Sequence, residues 1–226
     1  MIKYNVIVLA AGLGKRMNAG ENKQFILLKD KPLIVHTIEV FERDPSCELI
    51  LLVTNPKEKQ RMQQLIDSYS INTPIELIDG GSERQESVYC GLKHLHQHNR
   101  DDIVFIHDGA RPFVKQEYLH LLAEVTAQNR AALLAVPVTD TIKQKNGSQV
   151  TTLDRKTLWA AQTPQAFTFD LIIRAHQEAI TEGFLGTDDT SLVERIGADV
   201  AIVHGTYENI KLTTPEDLER AQAYIK

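Results

Sequence analysis

Between Ala10 and Lys23 the chain gathers what is needed to hold a polyphosphate. Ala10, Ala11, Gly12 and Gly14 are small enough to let a backbone approach a ligand closely, and Lys15, Arg16 and Lys23 supply counter-charge beside them. Backbone N–H groups and fixed cations in a turn that follows a strand are what anion binding requires. The turn is not a Walker A loop, because Gly14-Lys15 is followed by Arg16 and not by Ser or Thr. Nor is it a dinucleotide fingerprint, since Met17 stands where the third glycine belongs. The reading is a nucleotide site; its alternative is an ordinary strand-to-helix turn with solvated cations.

Two further clusters carry chemistry. Gly80-Gly81-Ser82-Glu83-Arg84, with Ser87 one turn on, offers amides and hydroxyls that could read a base edge or bind an anion. The alternative there is a plain helix N-cap by Ser82. His107-Asp108-Gly109-Ala110-Arg111-Pro112 ends an apolar strand with a carboxylate and a guanidinium. Asp108 could hold a ribose hydroxyl or a metal-linked water and Arg111 could fork onto a phosphate, or the two could form an ion pair that only shapes the turn. Other features take the plainer reading. His94, His96 and His98 alternate at a helix end and do not converge on one face, so they read as solvated surface. Cys47 and Cys90 read as small buried fillers and Trp159 as core. Asp188-Asp189 reads either as a Mg²⁺ pair or as helix-capping acids. No protein metal site is expected.

These clusters must be positioned by a scaffold, and the hydrophobic pattern specifies one. VIVLA, ELILLV, IELID, DIVFI and AALLAVPV alternate with amphipathic stretches at 33–43, 57–69, 83–95 and 116–127. That rhythm predicts an α/β fold of three layers, with a mainly parallel central sheet and helices on both faces. Ligands in such sheets sit beyond the carboxyl ends of the strands, where all three clusters fall. After Pro137 the rhythm breaks. Residues 139–155 are polar, and Asn146-Gly147 is a two-residue hairpin signal, so a protruding β-arm is expected over about 138–158. A helix over 170–182, a strand at VAIVHG and a helix start at Thr214-Pro215-Glu216-Asp217 follow, the last with a capping threonine and an early proline. No repeat or linker divides the chain, so residues 1–226 read as one domain.

Composition narrows the function classes. A net charge of −5 over 226 residues leaves no global basic field for nucleic acid, so anion binding must come from locally clustered cations. Two cysteines without CxxC spacing indicate neither a disulfide framework nor a thiolate metal site, and suit a reducing cytoplasm. No apolar run approaches the roughly 20 residues that cross a bilayer, and no signal-peptide pattern precedes the first strand. A cytoplasmic, unprocessed protein with no membrane or nucleic-acid partner is expected.

The ordered set AAGLGKRM, Lys23-Gln24, DGGSERQESV, HDGARPF, TPQAF, TDD and NIKLTTPEDL resembles one family across nearly the whole chain, the 2-C-methyl-D-erythritol 4-phosphate cytidylyltransferases of non-mevalonate isoprenoid synthesis. They share a Rossmann-like nucleotide-diphospho-sugar transferase fold with the ribitol 5-phosphate cytidylyltransferases. The resemblance implies transfer of CMP from CTP to the polyol phosphate with release of pyrophosphate. Ala10, Ala11, Gly12, Gly14 and Lys15 would wrap CTP, Gly81, Ser82 and Ser87 would lie at the cytosine, and Asp108 would reach the ribose and the second substrate. Arg16 and Lys23 would stabilise the transition state. Arg155 and Lys211 would position the polyol phosphate, with Arg111, Thr141, Thr163 and Thr187 as its other contacts. Mg²⁺ would be bound mainly through the CTP phosphates. The arm would clasp a second subunit to give a homodimer, and Thr141 and Arg155 could serve either subunit's site. The chain departs from the family pattern at Leu9, where many relatives have proline, and at Ser82, where an acid is frequent. Ribitol enzymes resemble HDAVRPF where this chain reads HDGARPF, and they usually lack LDRKTLW and TDDTSL; both differences favour methylerythritol phosphate. The alternatives are the ribitol enzyme and a nucleotide-binding module without activity.

Overall fold

In chain order the strands are β1 (Tyr4–Leu9), β2 (Leu27–Leu28), β3 (Lys31–Pro32), β4 (Cys47–Thr54), β5 (Ile75–Asp79), β6 (Ile103–Asp108), β7 (Ala131–Pro137), β8 (Lys143–Asn146), β9 (Gln149–Thr152), β10 (Trp159–Thr168) and β11 (Ala201–His204). The helices are α1 (Leu33–Glu42), α2 (Lys59–Asp67), α3 (Arg84–Gln97), α4 (Gln116–Asn129), α5 (Phe169–Glu182), α6 (Asp189–Arg195) and α7 (Pro215–Gln222). This computed structural model describes residues 1–12, 22–97 and 103–225. Gly14, Lys15, Arg16 and His98 lie outside the described residues.

An uninterrupted apolar run is what a strand covered on both faces needs, and β1 sits at the heart of the seven-stranded sheet β11-β7-β10-β6-β1-β4-β5. It pairs in parallel with β4 and β6; β4 with β5 and β7 with β11 are parallel too. Along β1, Tyr4, Val6 and Val8 face a cluster that α1, α2 and α4 cover with Ile34, Ile38, Phe41, Met62, Leu119 and Leu122. Ile7 points the other way, into a cluster closed by Val88 and Leu92 of α3, Ile172 and Ala175 of α5, and Leu192 and Val193 of α6. Each such side chain contributes about 1.5–3 kcal/mol when fully buried. The three-layer arrangement expected from the alternating pattern is therefore present.

A third, smaller cluster matters more for the site. Leu28, Leu33, Ala110, Leu212 and Ala221 pack together, tying the segment after Lys23, the turn after β6 and α7 into one unit. Thr214 caps α7 as its sequence indicated, in a reciprocal capping box with Asp217. The Asp217 carboxylate also accepts from the backbone N–H and the hydroxyl of Thr213 at 2.9 and 3.0 Å, which fixes the loop preceding the helix.

Several sequence expectations are corrected. LWAAQTPQAF, to which periodicity assigned no element, forms β10, which runs antiparallel to both β6 and β7. The strand carries polar residues at the buried positions Gln162, Thr163 and Gln165, which hid it from an apolar pattern. The two-residue hairpin turn is Gly147-Ser148 and not Asn146-Gly147, because Asn146 pairs with Gln149 in the ladder. Gly147 has φ +61°, the left-handed value that primed hairpin turns demand at their first central residue. All residues of β8 and β9 are exposed. Trp159 is not core: it is 39% exposed, edge-on to His204. Cys90 is only half-buried. His94 is not plain solvated surface, for its Nε2 lies 2.5 Å from Glu76; His96 is exposed as expected, with one face of its ring stacked on Phe169. Among the described residues no helix is long and apolar enough to cross a membrane.

Gly109 joins the ends of β1 and β6. Its N–H donates to the Leu9 carbonyl at 3.0 Å, and a Cβ there would stand 2.8 Å from that same oxygen and 2.9 Å from Ile34. Gly109→Ala is expected to lower stability by about 1–3 kcal/mol through overpacking, read as a shift in urea midpoint; an unchanged midpoint would show that the two strand ends can part freely.

Candidate active site

Beyond the carboxyl ends of β1, β5 and β6 the molecule opens into a cavity of about 300 Å³. Leu9, Asp108, Gly109 and Ala110 line it from the strand ends, Ala11 and Gly12 from the turn after β1, and Gly81, Ser82, Arg84 and Ser87 from the start of α3. Glu83, Lys23, Gln24, Lys211 and Thr213 complete the lining. All three sequence clusters thus contribute to one cavity, as the parallel-sheet rule anticipates.

Asp108 is the electrostatic centre. Lys211 Nζ lies 2.7 Å from Asp108 Oδ2, Arg111 Nε lies 3.6 Å from the same oxygen, and Arg84 Nε lies 3.7 Å from Oδ1. Burial works against the charged carboxylate, yet Lys211, Arg84 and Arg111 together hold it well below the usual carboxylate range. The ion pair that sequence offered as one reading of Asp108 and Arg111 exists, although Lys211 is the nearer partner. Arg84 reaches further still. Its second terminal nitrogen lies 2.7 Å from Asp189 Oδ2, and despite burial Asp189 and then Asp108 raise its affinity for the proton.

A polar layer beneath the cavity holds these groups still. The Asp108 N–H donates to Thr163 Oγ1 at 3.0 Å, and the Thr163 hydroxyl in turn meets His107 Nδ1 at 3.2 Å. His107 Nε2 lies 2.9 Å from the Arg111 carbonyl, which it can reach only as the N–H donor, leaving Nδ1 as acceptor. Asn209 donates to the Thr163 carbonyl at 2.9 Å and accepts, through its own carbonyl, from Arg111 at 2.7 Å. On the far side Gln165 Oε1 receives the N–H groups of Asp189 and Thr190 at 3.1 and 3.2 Å. Asp188 is a helix-capping acid, in a capping box with Ser191.

The residues singled out from sequence separate into groups. Ala11, Gly12, Lys23, Gly81, Ser82, Ser87, Asp108 and Lys211 border the cavity. Ala10 is fully buried behind it, donating to the Val53 carbonyl at 2.7 Å. Thr163 is a strut under the cavity, not a lining residue. Ser82 is not the cap of α3: its N–H and hydroxyl both donate to Glu86, at 2.7 and 2.8 Å, while Ser87 accepts from the Gly81 N–H at 3.1 Å. Thr187 is exposed in the loop before α6. Thr141 and Arg155 are exposed beside the β8–β9 hairpin, where Arg155 donates to the Thr139 carbonyl at 2.7 Å. Sequence reasoning missed Arg84, Asn209, Gln165 and the buried His176. Arg84 stood in plain view as the first helical residue of its cluster, but its partner Asp189 is distant in sequence and no local pattern links them.

Comparison with known proteins gives consistent results. Residues 4–226 match the family model described as 2-C-methyl-D-erythritol 4-phosphate cytidylyltransferase. The protein of that name from Geobacillus kaustophilus is 56% identical over 225 residues, 99% of this chain and 97% of its own length. That from Bacillus licheniformis is 50% identical over 226 residues, covering 100% of this chain and 96% of the relative. Among solved structures, the 4-diphosphocytidyl-2C-methyl-D-erythritol synthase of Anaerococcus prevotii superposes with a TM-score of 0.86 at 28% identity, over 99% of this chain and 96% of that one.

Burial pushes the His107 imidazole down to about 4, from its ordinary value of 6.5. The folded state therefore binds this proton more weakly than the unfolded state, so the contribution is full above 6.5 and is lost as pH falls towards 4. Stability is expected to drop by up to about 1.4 kcal/mol per pH unit in that window from this group alone. Half-buried His36, also pushed down mainly by burial, adds to the slope. His107→Gln should flatten the pH dependence of the urea midpoint; an unaltered slope would mean that His107 does not titrate with folding.

Proposed function

Because the chain belongs to the 2-C-methyl-D-erythritol 4-phosphate cytidylyltransferase family, and so transfers CMP from CTP to 2-C-methyl-D-erythritol 4-phosphate in isoprenoid precursor synthesis, we propose that both substrates meet in the cavity around Asp108. The observation that carries this reading is the ring of Lys211, Arg111 and Arg84 about one buried carboxylate, with Lys23 on the same cavity wall. So much positive charge at strand carboxyl ends suits two polyanions that must be brought together.

In this reading the cytosine rests against Gly81, Ser82 and Ser87, and the triphosphate follows the turn from Ala10, Ala11, Gly12 and Gly14 to Lys15, Arg16 and Lys23. Asp108 accepts a hydroxyl of the ribose or of the polyol. Lys211 and Arg111 receive the polyol phosphate, Thr187 stands at the edge and Thr163 acts from below. A phosphate monoester has its second pKa near about 6, so the attacking oxygen is already ionised at neutral pH and no general base is required. That oxygen attacks the α-phosphorus of CTP in line, the α–β bridging P–O bond breaks, and pyrophosphate carries away the electron pair. The protein's work is alignment and charge compensation. Arg16 and Lys23 stabilise charge on the transferring and departing phosphates.

Mg²⁺ fits this site only in a particular way. Among the described residues no group of three or more His, Cys, Asp and Glu could hold a metal, and Asp108 is already faced by Lys211 at 2.7 Å. When bound through CTP phosphates and water, Mg²⁺ would neutralise charge on the phosphate oxygens.

Self-association is supported by exposed apolar side chains near the hairpin and the β11 edge. Val150 is 61%, Ile202 47% and Tyr207 52% exposed. Thr141 and Arg155, exposed and absent from the cavity lining of their own chain, then serve the partner's site in a homodimer. The two free cysteines suit a reducing cytoplasm.

Pyrophosphate release with each of four nucleotides and with methylerythritol and ribitol phosphates tests the assignment; CTP with methylerythritol phosphate should be the productive pair. Arg16→Ala or Lys23→Ala is expected to lower kcat by about a hundredfold or more, and near-normal turnover in both would refute their role. Excision of residues 143–152 should yield a monomer by sedimentation with poor use of the polyol phosphate. A dimer that survives the excision would overturn the clasp.

A further inference from the structure

Arg84 is given no contact with either substrate above, yet it bridges two carboxylates in the site. One end faces Asp108 Oδ1 at 3.7 Å and the other Asp189 Oδ2 at 2.7 Å. Asp189 is an immobile anchor: its side chain is 1% exposed, its backbone N–H is held by Gln165, and its other carboxylate oxygen lies 3.3 Å from the fully buried His176. Arg84 therefore cannot leave with a ligand. Lys211 differs, being 38% exposed on the loop between β11 and α7 and resting on Asp108 Oδ2.

When Lys211 meets an incoming phosphate its charge is shared between that anion and Asp108, so the buried carboxylate loses part of the compensation from its nearest cation, which is costly. Arg111 is committed to the Asn209 carbonyl through one nitrogen and faces Asp108 through Nε at 3.6 Å, well beyond the 2.7 Å of Lys211. We propose that Arg84, anchored by Asp189, is a positioning residue that keeps Asp108 compensated and so releases Lys211 to the phosphate of the second substrate. The inference rests on the reading that Lys211 meets the polyol phosphate. A guanidinium suits this task because its rigid planar fork directs separate N–H groups at two carboxylates, whereas an ammonium is a compact point charge on a flexible stem.

Steady-state kinetics of the whole enzyme, with CTP and methylerythritol phosphate varied separately, provide the test. Arg84→Gln, Arg84→Lys and Asp189→Asn should each raise KM for the polyol phosphate by about tenfold or more while KM for CTP stays within about twofold. In a Lys211→Met background, Arg84→Gln should add nothing further, because the residue acts through release of Lys211. Full activity of Arg84→Lys would overturn the forked bridge, and an equal rise in KM for CTP would mark a general structural role and overturn the proposal. Additive effects of Arg84→Gln and Lys211→Met would overturn it too. If Lys211→Met raises KM for the polyol phosphate and Arg84→Gln does not, this inference alone fails; if Lys211→Met leaves that KM unchanged, the underlying reading fails with it.

Discussion

The carboxylate of Asp108 is the constraint around which the molecule is organised. A buried anion must be surrounded by cations or donors, and here those groups come from α3, from the turn after β6 and from the loop before α7. Each supplier needs its own support. Arg84 needs α6 to present Asp189, Arg111 needs Asn209, and Lys211 needs the Thr213–Asp217 cap and the small cluster under α7. Satisfying a single charge thus fixes the relative placement of elements spread along the chain. On the proposed reading the same ring of cations receives two phosphate-bearing substrates, so that the stability of the free enzyme and its affinity for anions would arise from one charge distribution.

β10 gives this arrangement its rigidity. By running antiparallel between β6 and β7 it carries a row of polar side chains through the sheet, and each finds hydrogen-bond partners in a neighbouring element. Thr163 holds the end of β6, Gln162 receives Asn209 and donates to the Thr206 carbonyl, and Gln165 grips the start of α6. Buried polar networks of this kind are costly when incomplete and specify one geometry when satisfied. Gly109 imposes a similar limit by steric means, since no side chain fits between the ends of β1 and β6.

How much of this could be read from the chain follows from the range of each signal. The apolar runs of β1, β4, β5 and β6 and the cap at Thr214 are local, and the helices they alternate with fell within a few residues of their observed bounds. The cavity's location followed from the parallel topology, and Asp108, Lys23, Gly81 and Ser87 were legible as members of the polar or glycine-rich segments that follow the strands. Arg84 with Asp189, Thr163 beneath Asp108, and the partners of His94 and His96 depend on contacts between segments remote in sequence. No periodicity encodes those. β10 was illegible for the complementary reason: its buried face is polar, so a pattern that equates burial with apolarity passes over it.

The bond from Lys23 to the Leu212 carbonyl spans 189 positions of sequence. Contacts of that separation must await closure of nearly the whole chain, and loop-closure entropy makes them late and slow to form. Helices and local strand pairs can appear early without them. During refolding, catalytic competence should therefore lag the recovery of secondary structure, which makes turnover a stricter gauge of completed folding than any spectroscopic measure of backbone order.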